Sequence, residues 1–366
     1  MGRIARAGVP RFGCVSRSYR EGDRMKRTSQ HRKPHHRSAA EMTPVFIFLP
    51  LFCIWGANAS PVINLRPVIG VLTQEAFGKV REYGEAYIPA SYIKFLESAG
   101  ARVAPIRNDL KTKEYKELFS YINGLLLPGG SANLTSSGYA KAAKVFYDET
   151  IRAAERGDMF PLWGTCLGFE QLMTITASQN LLQHTDSDNL SLPLEFVVDP
   201  ASSRIFQHLP PDLIEALGTE NITANFHSWS LTPKNYSMNN ALEQMYRIVS
   251  LNTDNNGIKF ISSVEAYNYS IYGVQWHPEK APFEWNPNQA ISHSSNAVHT
   301  SFYMAEFFVN EARKNFHRFP NQSMEEAALI YQNVPVYVGN ISGFTESYFF
   351  SSSYSSIKNH NRSDSP

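Results

Sequence analysis

The order of apolar and amphipathic segments after Pro67 is the sequence feature that most restricts the fold of this chain. Short apolar runs of strand length alternate with longer segments whose apolar residues recur at helical spacing. The predicted strands cover residues 68–72, 103–106, 124–127 and 160–163, and the predicted helices cover residues 88–98, 113–121, 139–155 and 167–177. This alternation predicts an α/β fold in which helices flank a parallel sheet.

The alternation stops between residues 180 and 250, where prolines are frequent and one short helical stretch covers residues 213–217. We interpret this part as an excursion from the sheet that carries substrate contacts. Strands at 247–250, 258–264 and 270–276, a turn at 254–257 and a final helix at 297–314 follow it. The three late strands allow the sheet to be mixed rather than purely parallel.

The N-terminal 59 residues differ from the rest of the chain. Residues 1–41 carry 11 Lys or Arg, and the uncharged segment 42–59 contains an apolar run of about a dozen residues and ends in Ala57-Asn58-Ala59. A run this short falls below the ~20 residues that span a bilayer and is typical of a signal peptide. We therefore predict a basic extension plus signal peptide at 1–59, with Met42 as an alternative start. The competing interpretations are a membrane anchor and a nucleic-acid-binding arm.

The same cleavage would change the charge and the cysteine count. It leaves 23 Lys and Arg against 30 Asp and Glu, an acidic balance that argues against nucleic-acid or anionic-membrane partners. It also leaves Cys166 as the single cysteine, which excludes an internal disulfide and indicates a reactive thiol. Nine Asn-x-Ser/Thr sequons fit a glycosylated protein of the secretory pathway. We predict one domain over 60–345 and a Ser-rich, disordered tail over 346–366.

The strongest local motif is Gly164-Thr-Cys166-Leu-Gly168, which joins the predicted strand at 160–163 to the helix at 167–177. A sharp strand-to-helix turn of this kind lifts a nucleophile clear of the sheet edge. The two glycines permit close backbone approach, and the N-terminus of the helix favours a thiolate. A packed core cysteine is the alternative interpretation.

A thiol nucleophile needs a base, and the segment Gln275-Trp-His277-Pro-Glu279 offers one. Residues two apart on an extended segment point to the same side, so His277 and Glu279 are predicted to pair. A thiolate–imidazolium pair would also work in acid. On their own, the two residues would instead be a solvated loop pair.

An oxyanion needs two hydrogen-bond donors beside the nucleophile. The Leu167 N–H is one candidate because it follows Cys166 at the start of the helix. The second candidate is Gly130 or Gly129 of the Pro128-Gly129-Gly130 run, which ends a neighbouring predicted strand. Taken alone, that run indicates no more than a turn.

The segments WGTCLGFE, PGG, FHSWS and QWHPEK together resemble the class I glutamine amidotransferase fold, and within it the γ-glutamyl hydrolase family, over about residues 67–343. The resemblance implies a flavodoxin-like sheet and the roles of nucleophile, catalytic histidine and third triad member for Cys166, His277 and Glu279. It also implies three cleft residues, namely His227, Glu170 and Tyr87. Without it, His227 would be structural and Glu170 an ordinary acid of a helical first turn.

The family resemblance further implies an enzyme that cleaves γ-glutamyl bonds of folate poly-γ-glutamates through a thioester. It implies no metal or organic cofactor, a lysosomal or extracellular location, and a possible homodimer. Arg102, Arg107 and Lys280 are candidates for binding an acidic tail, although each is otherwise expected to be solvated surface charge. A glutaminase that feeds ammonia to a synthase and a non-catalytic secreted glycoprotein are the competing functions.

Overall fold

The computed structural model describes residues 63–351; the predicted basic extension, the signal peptide and residues 352–366 of the predicted tail lie outside this range. Its strands are β1 (Val68–Leu72), β2 (Gln74–Glu75), β3 (Ala86–Pro89), β4 (Arg102–Ile106), β5 (Leu125–Leu127), β6 (Leu162–Thr165), β7 (Gln183–Leu192), β8 (Glu195–Phe196), β9 (Thr223–Ser230), β10 (Tyr246–Thr253), β11 (Lys259–Ala266), β12 (Ile271–Val274), β13 (Val336–Tyr337) and β14 (Glu346–Phe350). Its α-helices are α1 (Ala90–Ser98), α2 (Thr112–Phe119), α3 (Gly138–Glu155), α4 (Leu167–Ala177), α5 (Pro211–Thr219), α6 (Pro233–Ser237), α7 (Asn240–Met245), α8 (Lys280–Phe283), α9 (Ser295–Ala312) and α10 (Gln322–Ala328).

Eight strands form the main sheet in the order β4-β1-β5-β6-β12-β11-β10-β8. The first five run parallel, and β11, β10 and β8 extend the sheet in antiparallel pairing. Every residue of β1, β5, β6 and β12 is buried, because helices cover both faces of a parallel sheet. The predicted α/β fold with a mixed sheet flanked by helices is therefore confirmed.

Two apolar clusters fill the space between this sheet and the helices. One includes Phe119 and Phe146 of α2 and α3 with Leu172 of α4. The other, on the opposite face, includes Phe95 of α1 and Phe308 of α9. The strands that end at the active-site edge are thus fixed by packing on both sides, which gives the residues after them a rigid support.

A second sheet, in the order β13-β14-β3-β2, lies within the described residues and includes β14. This strand corrects the predicted domain boundary, since the disordered tail was expected to start at residue 346. β14 pairs with β3 along its length, and the carbonyl of Phe350 accepts a hydrogen bond from the Glu85 N–H. The strand was missed because its aromatic residues were counted together with the Ser-rich segment that follows them.

A two-stranded antiparallel sheet, β7 with β9, occupies the part predicted as an irregular excursion. β7 has the sequence QHTDSDNLSL, so no apolar alternation marks it as a strand. It buries hydroxyls instead of apolar side chains: Thr185 hydrogen-bonds both Ser187 and Ser230, at 3.0 and 2.7 Å. A polar ladder of this kind is not visible to a search for hydrophobic periodicity.

Two further boundaries differ from the predictions, and both affect the site. β6 ends at Thr165 rather than at Trp163, so Cys166 follows the strand directly. The predicted helix at 88–98 divides into β3 and α1, with Pro89 as the residue before the first helical turn. None of the described helices has the length and apolar character needed to cross a membrane.

Candidate active site

Cys166 occupies a strained turn between β6 and α4. Its φ is 51° and its ψ is −109°, a region that costs free energy for any residue with a side chain. The Cys166 N–H donates to the Val274 carbonyl at 2.8 Å, and the Cys166 carbonyl accepts from the Glu170 N–H at 2.9 Å. These bonds to a neighbouring strand and to the first helical turn hold the cysteine in this conformation.

The two flanking glycines are required because backbones touch at their Cα atoms. A methyl group on Gly164 would lie 2.6 Å from the carbonyl carbon of Gly168, and one on Gly168 would overlap the carbonyl of Leu127 in β5. Both contacts are with backbone, which cannot rotate away. The close approach predicted from the Gly-x-Cys-x-Gly motif is therefore present in the structure.

His277 and Glu279 form a buried pair at the neighbouring strand end. Nδ1 of His277 lies 2.7 Å from Oε1 of Glu279, and the His277 N–H donates to the Ala224 carbonyl of β9 at 2.9 Å. The predicted pairing is present, but Glu279 reaches the ring through a helical turn with φ −72° and ψ −16°, not along an extended strand. Donation from Nδ1 leaves Nε2 as the unprotonated nitrogen of the neutral ring.

The charge of Glu279 follows from its partners. Burial raises the pKa of this carboxyl, but the facing His277 ring, as charge and as hydrogen-bond donor, and then the Lys280 ammonium bring it below its ordinary value. Glu279 is therefore ionised and can stabilise a positive charge on His277. A carboxylate in this position fixes both the tautomer and the orientation of the imidazole.

Cys166 and His277 face each other around Gly129. A methyl group built on Gly129 would lie 2.7 Å from Cε1 of His277 and 3.1 Å from Cβ of Cys166. The buried hydroxyl of Tyr92 accepts a hydrogen bond from the Gly129 N–H at 2.8 Å and lies 3.4 Å from Nδ1 of His277. Tyr92 thus links the PGG loop to the histidine, a position that its place on α1 did not reveal.

The two predicted oxyanion donors both border the cleft beside Cys166. The Gly129 N–H is engaged by Tyr92, whereas no described residue accepts a hydrogen bond from the Gly130 N–H. Gln74 of β2 donates to the Gly129 carbonyl and fixes the loop from the other side. The Leu167 N–H lies close enough to the sulfur to lower the pKa of Cys166 by hydrogen bonding. Among the described residues the Gly130 N–H therefore has no acceptor, and the Leu167 N–H points at the sulfur.

The thiol of Cys166 is nonetheless held neutral. Burial, followed by the nearby Glu170 carboxylate, raises the pKa of Cys166 well above its ordinary value. The expected thiolate–imidazolium pair is thus disfavoured at rest, because an apolar site destabilises the anion. A base must take the proton as the sulfur attacks, which is the role that Nε2 of His277 can perform.

Glu170 is a buried acid one turn along α4 from Cys166. Its Oε1 accepts a hydrogen bond from Nε2 of Gln275 at 3.0 Å, and burial raises its pKa to about 7. It borders the cleft, unlike an ordinary helical first-turn acid at the surface. Glu170 therefore changes its charge near neutral pH, beside the thiol.

The cleft beside Cys166 has a volume of about 510 Å³. One side comes from the PGG loop and α4, and the other comes from β9. The lining residues are Gly130, Ser131, Ala132, Leu134, Cys166, Leu167, Glu170, Asn180, Leu182, Phe226, His227, Ser228 and Trp229. A cleft of this size lies in the range of sites that hold small organic molecules.

His227 belongs to this lining, and its partners are uncharged. Nδ1 lies 3.0 Å from the hydroxyls of both Ser187 and Ser230, and Nε2 lies 3.2 Å from Oδ1 of Asn225. Burial, and then the charge on His277, lower the pKa of His227 to about 3. The ring is therefore neutral, with Nε2–H donating to Asn225 and Nδ1 accepting from a serine.

Tyr87 and two of the three candidate cations, Arg102 and Arg107, lie outside the cleft lining. Tyr87 is buried in the second sheet against Phe344 and Phe349, outside the cleft lining. Arg102 pairs with Glu325 and Arg107 with Asp109, and neither arginine lines the cleft.

Lys280 contradicts the expectation of a solvated charge, since it is only 2% exposed. Its Nζ lies 4.8 Å from the ring centroid of Phe226 and 4.5 Å from that of Phe344. Two aromatic faces can hold an ammonium group out of water. Sequence reasoning missed this because the aromatic partners come from segments far along the chain.

Within residues 63–351, no group of three or more His, Cys, Asp and Glu side chains is arranged to hold a metal ion. The arrangement around Cys166 combines a buried thiol, a buried imidazole paired with a carboxylate, and two backbone N–H groups. These are the components that acyl transfer requires.

Comparison with known proteins identifies relatives of this chain. Residues 67–279 match the family model described as Peptidase C26. Gamma-glutamyl hydrolase of Mus musculus is 54% identical over 285 residues, which cover 78% of this chain and 90% of that protein. Gamma-glutamyl hydrolase of Homo sapiens is 53% identical over 286 residues, with the same coverage. Among solved structures, the Trypanosoma brucei CTPS glutaminase domain with bound acivicin is 14% identical, covers 69% of this chain and 96% of that one, and has a TM-score of 0.45. The chain belongs to the peptidase C26 family.

Proposed function

We propose that this chain is a cysteine hydrolase that cleaves γ-glutamyl bonds of poly-γ-glutamylated folates and related compounds. The observation that carries the proposal is the position of Cys166. It lies on a strained elbow, and it and His277 of the His277–Glu279 pair both pack against Gly129. The relatives named gamma-glutamyl hydrolase support the choice of bond, and the cleft beside Cys166 supports a small-molecule substrate.

The reaction begins when Sγ of Cys166 attacks the γ-carbonyl carbon while Nε2 of His277 takes the thiol proton. The carbonyl oxygen becomes an oxyanion, which accepts hydrogen bonds from the N–H groups of Leu167 and Gly130. Collapse of this intermediate breaks the C–N bond, and His277 protonates the leaving nitrogen. Glu279 stabilises the imidazolium throughout.

Water then hydrolyses the thioester at the same carbon. His277 removes a proton from the attacking water, the oxyanion forms again on the two backbone donors, and the departing sulfur takes the proton back. The products are a γ-carboxylate and the free thiol of Cys166. His227 and Glu170 border the cleft where the substrate lies.

The test is an assay of the purified chain with folate pentaglutamate and with glutamine, at acidic and at neutral pH, with products identified by mass spectrometry. We expect glutamate or short polyglutamates from the first substrate and no turnover in the Cys166→Ala variant. Cleavage of glutamine alone would overturn the proposed substrate. Full folate hydrolysis by Cys166→Ala would overturn the mechanism.

We also propose that residues 42–59 direct the chain into the secretory pathway, that it acts in the lysosome and outside the cell, and that it forms a homodimer. Support comes from the sequence around Ala57-Asn58-Ala59 and from the family. N-terminal sequencing of the secreted protein should find a start near Ser60. Light scattering during gel filtration measures the oligomeric state.

A further inference from the structure

Gln74 is a buried glutamine beside the PGG loop, and no step of the proposed reaction uses it. It lies in β2, just after the end of β1, and β1 pairs with β5, the strand that precedes the loop. The side chain is fully buried, and its Nε2 donates to the Gly129 carbonyl. A carbonyl can only accept a hydrogen bond, so the nitrogen of the amide must lie on this side. One side chain therefore contacts the peptide that carries the second oxyanion donor.

The Gly129 carbonyl and the Gly130 N–H belong to the same peptide plane. No described peptide bond is cis, and in a trans peptide the C=O and the N–H point in opposite directions. Because Gln74 holds the carbonyl, the Gly130 N–H faces away from Gln74. Gly130 borders the cleft together with Cys166 and Leu167, and no residue within 63–351 accepts a hydrogen bond from its N–H. An oxyanion in the cleft needs a donor in this orientation.

The other polar atom of Gln74 shows what the opposite orientation would be. Oε1 is buried and receives no hydrogen bond from any described residue, and a methyl group on Gly130 would overlap it. If the Gly129–Gly130 peptide turned over, the Gly130 N–H would face this unused acceptor, and the carbonyl would face the cleft. Glycine on both sides leaves such a rotation sterically open. The donation from Nε2 is thus a contact that the observed orientation has and the opposite one lacks.

We propose that Gln74 is a positioning residue: it holds the Gly129–Gly130 peptide so that the Gly130 N–H can receive the oxyanion formed at Cys166. Gln74 does not touch the substrate and acts only through this peptide. The inference rests on the acyl transfer proposed for Cys166 and adds the side chain that sets the direction of its second donor. Loss of one oxyanion donor lowers kcat about 10²- to 10³-fold.

The first test compares two variants with side chains of the same length. Gln74→Met removes the donor, so with folate pentaglutamate we expect kcat to fall about 10²-fold and KM to change little, because the interaction is made only in the transition state. Gln74→Glu tests for rescue: a buried carboxyl is protonated at pH ~5, and its O–H can donate to the Gly129 carbonyl. At this pH Gln74→Glu should be about tenfold more active than Gln74→Met. Equal losses would overturn the proposal.

Gln171 provides the matched control. It is also buried, its Nε2 donates to a loop carbonyl, that of Leu134, at 3.0 Å, and its Oε1 likewise receives no hydrogen bond from a described residue. The Leu134 carbonyl is not part of the peptide that carries the Gly130 N–H. Gln171→Met should therefore lose stability and keep its kcat. An equal fall in kcat for Gln74→Met and Gln171→Met would overturn the proposal.

Two reagents separate this role from the proposed γ-glutamyl hydrolysis. Acylation of Cys166 by para-nitrophenyl acetate passes through an oxyanion: the S–C bond forms, His277 takes the thiol proton, and para-nitrophenolate leaves. Iodoacetamide alkylates the same sulfur by displacing iodide and forms no oxyanion. Gln74→Met should slow acylation about tenfold or more and leave alkylation unchanged.

The ratio of the two rates decides the role of Gln74 without a γ-glutamyl substrate. Equal slowing of acylation and alkylation, or slowing of neither, would overturn that role even in an enzyme that cleaves γ-glutamyl bonds. If the unaltered protein cleaves no γ-glutamyl compound, the proposed function fails, and a selective loss of acylation in Gln74→Met still supports the role of Gln74.

Discussion

The two walls of the cleft are stabilised by different interactions. The elbow wall stands on an apolar parallel sheet and depends on glycines that let backbones touch. It comprises residues 166–170 beside the cleft and residues 277–279, which pack next to Cys166 around Gly129 and do not line the cleft themselves. The β7–β9 wall, in which β9 lines the cleft and β7 pairs with it, is held by buried hydroxyls and presents Trp229 to solvent. Strain and close packing thus belong to the wall with the nucleophile, and polar networks belong to the wall opposite.

The two histidines show what this difference means chemically. His277 faces a carboxylate, whereas His227 faces only hydroxyl and amide groups and has a pKa lowered to about 3, chiefly by burial. In the proposed mechanism the same side chain is a proton carrier on one wall, and on the other it is a neutral hydrogen-bonding group. The partner, not the residue type, decides which.

The largest expected effect is on the carboxylate of the elbow wall. Glu279→Gln removes the charge that stabilises imidazolium at His277, so kcat should fall about 10²- to 10³-fold. Steady-state kinetics on a γ-glutamyl substrate measures this. Glu284→Gln is the control, since Glu284 is also buried but accepts from the Thr345 N–H at 2.6 Å. It should lose stability and keep its kcat; an equal fall in kcat for both variants would contradict the role of Glu279.

The close packing of the elbow wall should appear in stability. Gly168→Ala places a methyl group on the Leu127 carbonyl, and we expect the free energy of unfolding to fall by about 3 kcal/mol. Gly218→Ala, in helix α5 where a methyl group meets only one atom at 4.0 Å, should raise it by about 0.5 kcal/mol. Urea denaturation measures both. Similar changes in the free energy of unfolding for the two variants would show that the elbow can relax.

The neutral histidine of the β7–β9 wall makes the fold sensitive to acid. His227 takes up a proton near its ordinary pKa when unfolded but only near 3 when folded. Protonation of His227 in the unfolded state therefore lowers the free energy of unfolding as the pH falls below 6.5, by about 2 kcal/mol at pH ~5. The His227→Gln variant has no such group, so between neutral pH and pH ~5 its free energy of unfolding should fall by about this amount less than that of the unaltered protein. Urea denaturation at both pH values, with the exposed His184→Gln as control, tests this; parallel pH profiles would contradict it.

The smallest expected effect concerns Glu170, the titrating acid of the elbow wall. Its pKa of about 7 means that it becomes charged as the pH rises through neutrality, and a carboxylate there opposes a negative charge on Cys166. The kcat/KM of the unaltered enzyme should therefore fall as the pH rises above neutral. Glu170→Gln should keep its activity to higher pH, so that one to two pH units above neutral its kcat/KM exceeds that of the unaltered enzyme by about tenfold. The pH profile of kcat/KM measures this, with the exposed Glu155→Gln as control. Identical alkaline limbs for Glu170→Gln and the unaltered enzyme would contradict it.

Part of this architecture follows from local sequence. The alternation after Pro67 predicted the sheet with its helices, and helix α4 has the predicted bounds of residues 167–177. The Gly-x-Cys-x-Gly motif predicted the close backbone contacts of the elbow, and the two-residue spacing of His277 and Glu279 predicted their pairing. These features depend on residues within a few positions of each other, where periodicity and spacing carry the information.

The sequence by itself determined the sheet, the elbow and the identity of the paired acid and histidine, because each is encoded over a few neighbouring residues. Only the tertiary structure decided that Tyr92 holds the PGG loop, that Lys280 is buried between two rings, and that residues 183–192 form a polar strand. It also decided which histidine stays neutral. These outcomes depend on groups that meet from distant parts of the chain, and their burial and partners exist only once the chain has folded.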